Sequence, residues 1–363
     1  MFPQDFDEYL RQGEPDKQER AYVWSTAIGL QAVDGLKPSQ FLIDAARKNI
    51  EGDISIDDVC DLVKSYYVSK SRRTQTEAET EEADRVSANI SRILKSRTLA
   101  FNTNGYVSLH RRIFEGVFKH AGKIRDYDIT KKEWVLEGET VNYLNWEDLR
   151  VALDYDIEQE KSFSYKGKTA DEQVRHITKF ISGIWQIHPF CEGNTRTTAV
   201  FAIQYLRSLG YNVNNDLFAK HSWYFRNALV RANYKNAVKG IEYTPIFLER
   251  FFRNLLLGET WDLKNRYLVI NPPAELQTQP KFEPDDGIND GINDGINLNS
   301  TEQKIISLIK ANAHMSVREM SEHIGLKPRQ CERIIAQMKT KNLIARVGAN
   351  KNGYWVVSCK YNN

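Results

Sequence analysis

Hydrophobic positions recur at helical spacing along most of the chain. Segments 21–31, 39–52 and 55–67 each carry an apolar stripe with polar residues between its members. Ser39 precedes the second stripe in the position of an N-cap, and Gly52 follows it in the position of a C-terminal stop. The first 70 residues are therefore predicted to form a small helical module.

The helical period continues from 86 to 257, with one interruption. Between 134 and 143, two short runs rich in β-branched and aromatic residues flank a Glu-Gly pair. This pattern predicts a β-hairpin that contains Trp134, Val135, Val141, Asn142 and Tyr143. The period alone gives no reason for a single hairpin inside a helical region.

The clearest boundary is the segment 271–299. It holds four prolines and the repeat DGINDGINDGIN, whose turn-forming residues leave too little apolar area for a core. We interpret it as a linker, with a metal-binding repeat as the alternative; the repeat lacks the Glu at position twelve of an EF-hand loop. The predicted divisions are 1–85, 86–270, 271–299 and 300–363.

The last 64 residues show three helical stretches followed by two strand-like runs around a Gly/Asn tip. This order is typical of a winged helix-turn-helix. Lys327, Arg329, Gln330 and Arg333 lie at the start and along one side of its third helix. They predict DNA binding, with a solvated basic face on a protein-binding winged helix as the alternative.

The charge distribution supports this division. The 363 residues have a formal net charge of only +2, but residues 300–363 carry 11 Lys and Arg against 4 Asp and Glu. The four cysteines have no metal-like spacing, and no signal peptide or apolar run of about 18 residues is present. A cytoplasmic protein with reduced thiols and no membrane partner is expected.

Residues 188–196, HPFCEGNTR, concentrate polar chemistry between two apolar segments. Free amides at a helix N-terminus, together with Gly193 and Arg196, form an anion cradle that suits a polyphosphate. Glu192 beside phosphate suits Mg²⁺, and Asn194 can donate a hydrogen bond to a phosphate oxygen. His188 has the chemistry of a general base. An ordinary capped turn, or a Cys191–His188 nucleophile pair, is the alternative.

HPFCEGNTR resembles the signature of the Fic (Fido) family, His-x-Phe-x-Asp/Glu-Gly-Asn-Gly-Arg-x-x-Arg, and the resemblance covers about residues 86–257. It implies a mainly helical catalytic domain with a β-hairpin flap, which here is the hairpin 134–143 and which would pair with an extended segment of the target. Most members transfer AMP from ATP, with Mg²⁺, to a Ser, Thr or Tyr hydroxyl of a protein, in some cases of themselves.

The same resemblance implies roles for individual residues. His188 would be the base, Glu192 would hold Mg²⁺, and the phosphates would be bound by Gly193, Asn194, Thr195 and Arg196. Tyr224 and Asn233 would contact adenosine. Two positions depart from the signature: Thr195 replaces its second Gly and Ala199 its second Arg. The nucleotide used is therefore open, and family relatives also transfer UMP, phosphate or phosphocholine.

Many family members carry an inhibitory helix that reads Ser/Thr-x-x-x-Glu-Gly/Asn. The matching segment here is RKNIEG, with Glu51 as the inhibitory carboxylate and Arg47 in place of the hydroxyl residue. An ordinary helix end is the alternative. The leading interpretation is an adenylyltransferase tethered to a winged helix; the second is a DNA-binding regulator whose Fic domain has altered or lost its activity. Formation of a homo-oligomer is left open.

Overall fold

The structure, a computed structural model, describes two compact units, Met1–Pro280 and Lys281–Asn363. The described residues are 6–68, 75–96, 98–213, 216–271, 300–312, 314–326, 328–340, 344–347 and 354–357. Almost all of the predicted linker 271–299 lies outside them. None of the described helices is both long enough and apolar enough to cross a membrane.

The first unit is helical. Its helices are α1 (Asp7–Gln12), α2 (Pro15–Gly29), α3 (Gln40–Glu51), α4 (Ile56–Val68), α5 (Gln75–Lys95), α6 (Thr103–Ile113), α7 (Leu149–Ser162), α8 (Ala170–Ile187), α9 (Asn194–Ser208), α10 (Leu217–Ala232) and α11 (Ile246–Leu257). Single 3₁₀ turns occur at Leu30–Asp34, Trp134–Leu136, Trp146–Asp148 and Asn265–Tyr267.

The bounds of α3 confirm the capping signals in the sequence. The Ser39 hydroxyl accepts a hydrogen bond from the Leu42 amide at 3.2 Å, which satisfies one free donor of the first turn. The helix ends before Gly52, whose φ of 93° is easily adopted only by glycine. Local sequence is therefore sufficient to define this helix.

The N-terminal helices share a core with the rest of the first unit. Val23, Ala27 and Leu30 belong to the large apolar cluster formed by α5 to α11, and α5 runs across residue 85, where the sequence predicted a boundary. Gly29 allows close packing on α10, because a side chain there would meet the Ala219 backbone at 2.4 Å. A smaller cluster lies between α1, α2, α3 and α4.

The segment 134–143 corrects the predicted β-hairpin, because its described residues form no strand. Trp134–Leu136 is a 3₁₀ turn, and Glu137 and Gly138 follow with φ of 54° and 90°. Val135 and Leu136 are both fully buried. Adjacent side chains of a strand point to opposite faces, so a strand with one solvated face would not bury both of them. The segment 134–143, called the flap region below, therefore contains no strand among its described residues, and the predicted β-hairpin flap is not confirmed.

The second unit contains α12 (Ser300–Ala311), α13 (Val317–Ile324) and α14 (Pro328–Thr340), followed by β1 (Ile344–Val347) and β2 (Tyr354–Val357). The strands pair antiparallel, with Ile344 opposite Val357. Ser316 and Glu319 form a capping box at the start of α13. A separate apolar core unites the helices with Trp355. This arrangement confirms the predicted winged helix-turn-helix.

Candidate active site

His188 lies immediately after α8, at the first position of the predicted loop. Its backbone adopts the left-handed region with φ of 51°, which ends the helix and turns the chain towards α9. The side chain is 2% exposed, and the Tyr143 ring packs on the imidazole with 4.2 Å between ring centres. A buried histidine is thus presented at the junction of two core helices.

Among the described residues, one ring nitrogen of His188 has a hydrogen-bond partner and the other has none. Nδ1 lies 3.2 Å from the Trp185 carbonyl oxygen, which accepts its hydrogen in the tautomer that leaves a lone pair on Nε2. Among the described residues, Nε2 has no hydrogen-bond partner. Burial, followed by the positive charge of Lys131, holds the pKa of His188 well below its ordinary value. The imidazole is therefore neutral, and its free lone pair lies on Nε2.

The Asn194 side chain holds the loop closed. Its Oδ1 accepts from the Phe190 amide at 3.0 Å, and its Nδ2 donates to the Phe190 carbonyl at 2.7 Å. Phe190 is fully buried and stacks on His110 at 3.8 Å. Arg125 fastens the loop from outside by donating to the His188 carbonyl at 2.9 Å. Asn194 thus sets the loop geometry, and its predicted contact with phosphate stays a prediction.

Glu192 is held as a carboxylate beside the helix N-terminus. Its Oε1 accepts from the Gly193 amide at 3.0 Å, and its Oε2 lies 3.6 Å from Lys131 Nζ. Burial raises the pKa of Glu192, but Lys131, the Gly193 amide and Arg196 together outweigh it, so the pKa lies below its ordinary value. The Glu192 side chain is 44% exposed, which leaves it accessible to a ligand.

Gly193 is required at its position for two reasons. Its φ is 76°, and a Cβ atom would lie 2.2 Å from the Phe114 ring. The same ring lies under Arg196, whose guanidinium carbon is 4.8 Å from the ring centre. The glycine therefore brings the loop backbone against the surface that supports the arginine.

Arg196 is 1% exposed and is surrounded by acceptors from the N-terminal part of the chain. Nη2 donates to Glu82 Oε1 at 2.7 Å, and Nη1 donates to Gln31 Oε1 at 3.1 Å. Nε lies 2.8 Å from Asp34 Oδ2, as an ion pair rather than an aligned hydrogen bond. The cation predicted to meet phosphate therefore meets two carboxylates in this structure.

Both departures from the signature have a structural account. The Thr195 hydroxyl accepts from Trp185 Nε1 at 2.9 Å, so the extra side chain satisfies a buried indole. Ala199 is fully buried in the core, in the third residue position after Arg196. The first departure stabilises the α8–α9 junction, and the second removes a cation from the site.

Two cavities adjoin these residues. A cavity of about 20 Å³ is bordered by His188, Glu192, Gly193, Asn194, Thr195, Trp185, Asp34, Lys131, Glu133 and Arg226. A larger one of about 670 Å³ is bordered by Arg196 and Glu192 together with 32–36, Glu82, Phe118, Trp223 and Arg226. The small cavity has room for about one water molecule. A nucleotide is too large for the small cavity in this structure.

The remaining predicted site residues are dispersed. Asn233 borders a third cavity of about 860 Å³, together with Lys131 and Asn142 of the flap region. Tyr224 is 1% exposed and donates to the Phe247 carbonyl, as a core residue does. Glu51 pairs with Lys17 at 2.7 Å, so its carboxylate is held by the N-terminal helices. Its inhibitory role stays a prediction.

Charged residues near the site that sequence reasoning missed include Asp34, Glu82, Arg125, Lys131, Glu133 and Arg226. Each lies far from the motif in sequence, and each is an ordinary polar position in its own segment. Glu133 stood directly before the predicted hairpin and Arg226 two positions after Tyr224, whereas Asp34 stood in the turn DGLKP after the first predicted helix. No local pattern connects it with Arg196, 162 positions later.

In the second unit, Gln330 and Arg333 are exposed on α14. Lys327 lies outside the described residues, as does the side chain of Arg329. The two described members share one helix at positions i and i+3, which places them on neighbouring parts of its surface. Their contact with DNA stays a prediction.

Comparisons with known proteins agree with this description. Residues 100–206 match the sequence model of the Fic/DOC family, and residues 298–345 match that of winged helix-turn-helix DNA-binding domains. The protein adenylyltransferase VbhT of Bartonella schoenbuchensis is 26% identical over 184 residues, which are 47% of this chain. The match spans 37% of the length of VbhT.

A crystal structure of a Fic family protein from Desulfovibrio desulfuricans G20 aligns with 98% of this chain and 93% of its own, with a TM-score of 0.43 and 13% identity. The two family models match the regions that contain the site loop and the winged helix. The chain therefore contains a Fic/DOC family domain at 100–206, followed by a winged helix-turn-helix domain at 298–345.

Proposed function

We propose that the chain is a protein adenylyltransferase that transfers AMP from ATP to a hydroxyl group of a target protein or of itself. The observation that carries the proposal is that Nε2 of buried His188, beside the N-terminus of α9, has no hydrogen-bond partner among the residues that the structure describes. A base and an anion cradle there border one cavity. The adenylyltransferase activity named for VbhT supports this assignment.

In the proposed reaction, His188 Nε2 takes the proton of the target hydroxyl. The hydroxyl oxygen then bonds to the α-phosphorus, and the bond from that phosphorus to the bridging oxygen of the β-phosphate breaks. Pyrophosphate leaves with the electron pair of that bond. The amides that begin α9 and the guanidinium of Arg196 stabilise negative charge on the phosphates.

Glu192 fits a site for Mg²⁺ shared with the nucleotide. Its carboxylate is accessible and stays charged, and Mg²⁺ typically takes one or two carboxylates plus phosphate oxygens. Among the described residues, no group of three or more His, Cys, Asp or Glu could hold a metal ion by itself. Mg²⁺, when bound, would neutralise phosphate charge.

The N-terminal part of the first unit restrains this site in our proposal. The carboxylates of Asp34 and Glu82 both form ion pairs with the Arg196 guanidinium. Asp34 also borders the small cavity at His188. Carboxylates in these positions compete with phosphate for the same cation. Movement of 30–36 would release Arg196 and enlarge the space at His188.

Transfer of radioactive AMP tests the proposal. The full chain is incubated with Mg²⁺ and ATP labelled at the α- or the γ-phosphate, with UTP and CDP-choline in parallel. We expect label only from the α-position of ATP, and a loss of about 10²–10⁴ in rate for His188→Ala. Label from the γ-position would instead indicate phosphate transfer, and undiminished transfer by His188→Ala would exclude the assigned base.

We propose DNA binding as the function of the second unit, supported by its match to winged helix-turn-helix domains and its basic composition. A mobility-shift assay with the full chain and mixed duplexes should show binding that weakens steeply with salt, because Lys and Arg contacts release counterions. Arg333→Ala should weaken binding on every sequence if it contacts phosphate. No binding at low salt would favour a protein partner.

A further inference from the structure

The cradle formed by α9 contains a single arginine where the family signature has two. The position of the second arginine is taken by Ala199, which is fully buried and uncharged. A triphosphate carries several negative charges, and Arg196 alone leaves part of that charge without a cation. The rest of the molecule must supply the second cation if the site is to hold the whole polyphosphate.

Arg226 on α10 is a second arginine at the border of the site. It borders the 670 Å³ cavity together with Arg196 and Glu192. It also borders the small cavity together with His188 and Gly193. The Arg226 side chain is 16% exposed, so it is partly removed from water and its electrostatic interactions are strong. Arg226 therefore lies between the larger cavity, which has room for a polyphosphate, and the space at His188.

The present partner of Arg226 is a carboxylate that an anionic ligand could replace. Nη1 lies 2.7 Å from Oε2 of Glu133, which is 1% exposed, and the contact is an ion pair rather than an aligned hydrogen bond. Oε1 of Glu133 accepts from the Tyr143 hydroxyl at 3.1 Å. Tyr143 in turn packs on His188. Arg226 therefore connects the flap region with the base.

We propose that Arg226 is a phosphate-binding residue. It supplies the second cation of the site, because position 199 has no arginine. Its ligand class is the polyphosphate tail of a nucleoside triphosphate, and Glu133 is its counter-anion when no nucleotide is bound. The inference rests on the proposed function. A guanidinium presents paired donors that match phosphate oxygens, so exchange of Glu133 for phosphate keeps the buried cation neutralised.

Calorimetric titration of the full chain distinguishes binding of the polyphosphate tail from binding of the rest of the nucleotide. The probes are α,β-methylene-ATP, in which the bond to be cleaved is blocked, and AMP, both with Mg²⁺. We expect Arg226→Gln to weaken binding of the triphosphate by about 10–100-fold, the effect of losing a charge-assisted contact, and binding of AMP by less than about 3-fold. Arg226→Lys should fall between, because it retains charge without the paired donors.

Three further variants control for charge and folding. Lys220→Gln removes the same charge from the same helix at an exposed position and should leave both affinities unchanged. Glu133→Gln removes the competing charge and should tighten triphosphate binding several-fold. Because Arg226→Gln leaves Glu133 without its cation, the double variant Glu133→Gln/Arg226→Gln is measured as well, and should show the same weakened binding in a folded protein.

The outcomes separate this inference from the proposed function. Triphosphate binding by the wild type that persists in folded Arg226→Gln overturns the role of Arg226 alone. Equal losses for AMP and the triphosphate also overturn it, because the contact would then lie elsewhere on the nucleotide. If neither the wild type nor Asp34→Asn binds either probe, both proposals are overturned.

Discussion

Asp34→Asn tests whether the N-terminal segment competes with phosphate for Arg196. The change removes one negative charge and retains the size of the side chain. Arg196 is 1% exposed, and Asp34 Oδ2 lies 2.8 Å from its Nε. Since Glu82 and Gln31 still contact the arginine, we expect the variant to fold.

The structure sets the size of the expected effect. A hydrogen bond to a charged group contributes about 1.5–3 kcal/mol. The Asp34 side chain is 30% exposed and its contact is poorly aligned, so solvent reduces this to about 1–2 kcal/mol. That energy corresponds to about a 5–30-fold lower KM for ATP. Glu82→Gln, with an aligned contact and 22% exposure, should have at least as large an effect.

The assay is the initial rate of transfer from α-labelled ATP over a range of ATP concentrations. Asp44→Asn is the matched control, because Asp44 is an exposed carboxylate of the same N-terminal region that pairs with Arg47. Glu51→Gly is run in parallel, since the family resemblance predicts an inhibitory role for Glu51. Thermal melts of all variants verify that they are folded.

The results show which of two candidate residues, Asp34 or Glu51, inhibits transfer. A lower KM in Asp34→Asn with no change in Glu51→Gly supports competition at Arg196. Activation by Glu51→Gly alone would show that the motif names the inhibitor and that Asp34 has only a structural role. An unchanged or higher KM in folded Asp34→Asn refutes competition between Asp34 and phosphate.

Three further predictions concern stability. Gly193→Ala should cost about 2–4 kcal/mol of unfolding free energy, seen in urea denaturation, because its Cβ would lie 2.2 Å from Phe114 at a positive φ; a wild-type midpoint would contradict the loop geometry. Thr195→Val should cost about 1–3 kcal/mol by leaving the Trp185 indole without its acceptor, whereas Thr195→Ser should cost less. Burial holds the pKa of His110 at about 4, so the unfolded chain binds more protons below pH 6.5 and stability should fall by on the order of 3 kcal/mol as the pH drops to 4. His110→Gln should flatten that pH dependence, and an unchanged slope would assign it to other groups.

Sequence periodicity and capping signals were sufficient to predict the helices and the winged helix. Ser39 and Gly52 bound α3 through contacts within a few residues, so a local pattern contains the needed information. The site loop was equally accessible, because His188 to Arg196 lie within nine consecutive residues and their side-chain types indicate the chemistry directly. The predicted hairpin failed because alternation of residue type does not reveal that Val135 and Leu136 are both buried.

The partners of the site residues depend on long-range packing. Arg196 contacts Gln31 and Glu82, which lie 165 and 114 positions away in the chain, because the 3₁₀ turn Leu30–Asp34 and α5 pack in the same core as α9. Arg226 likewise meets Glu133 through the packing of α10 against the flap region. Charge neutralisation in a buried site depends on which elements are close in space, and helical period carries no information about that proximity. The motif thus identifies the reacting groups, whereas the fold sets whether they are available to a nucleotide.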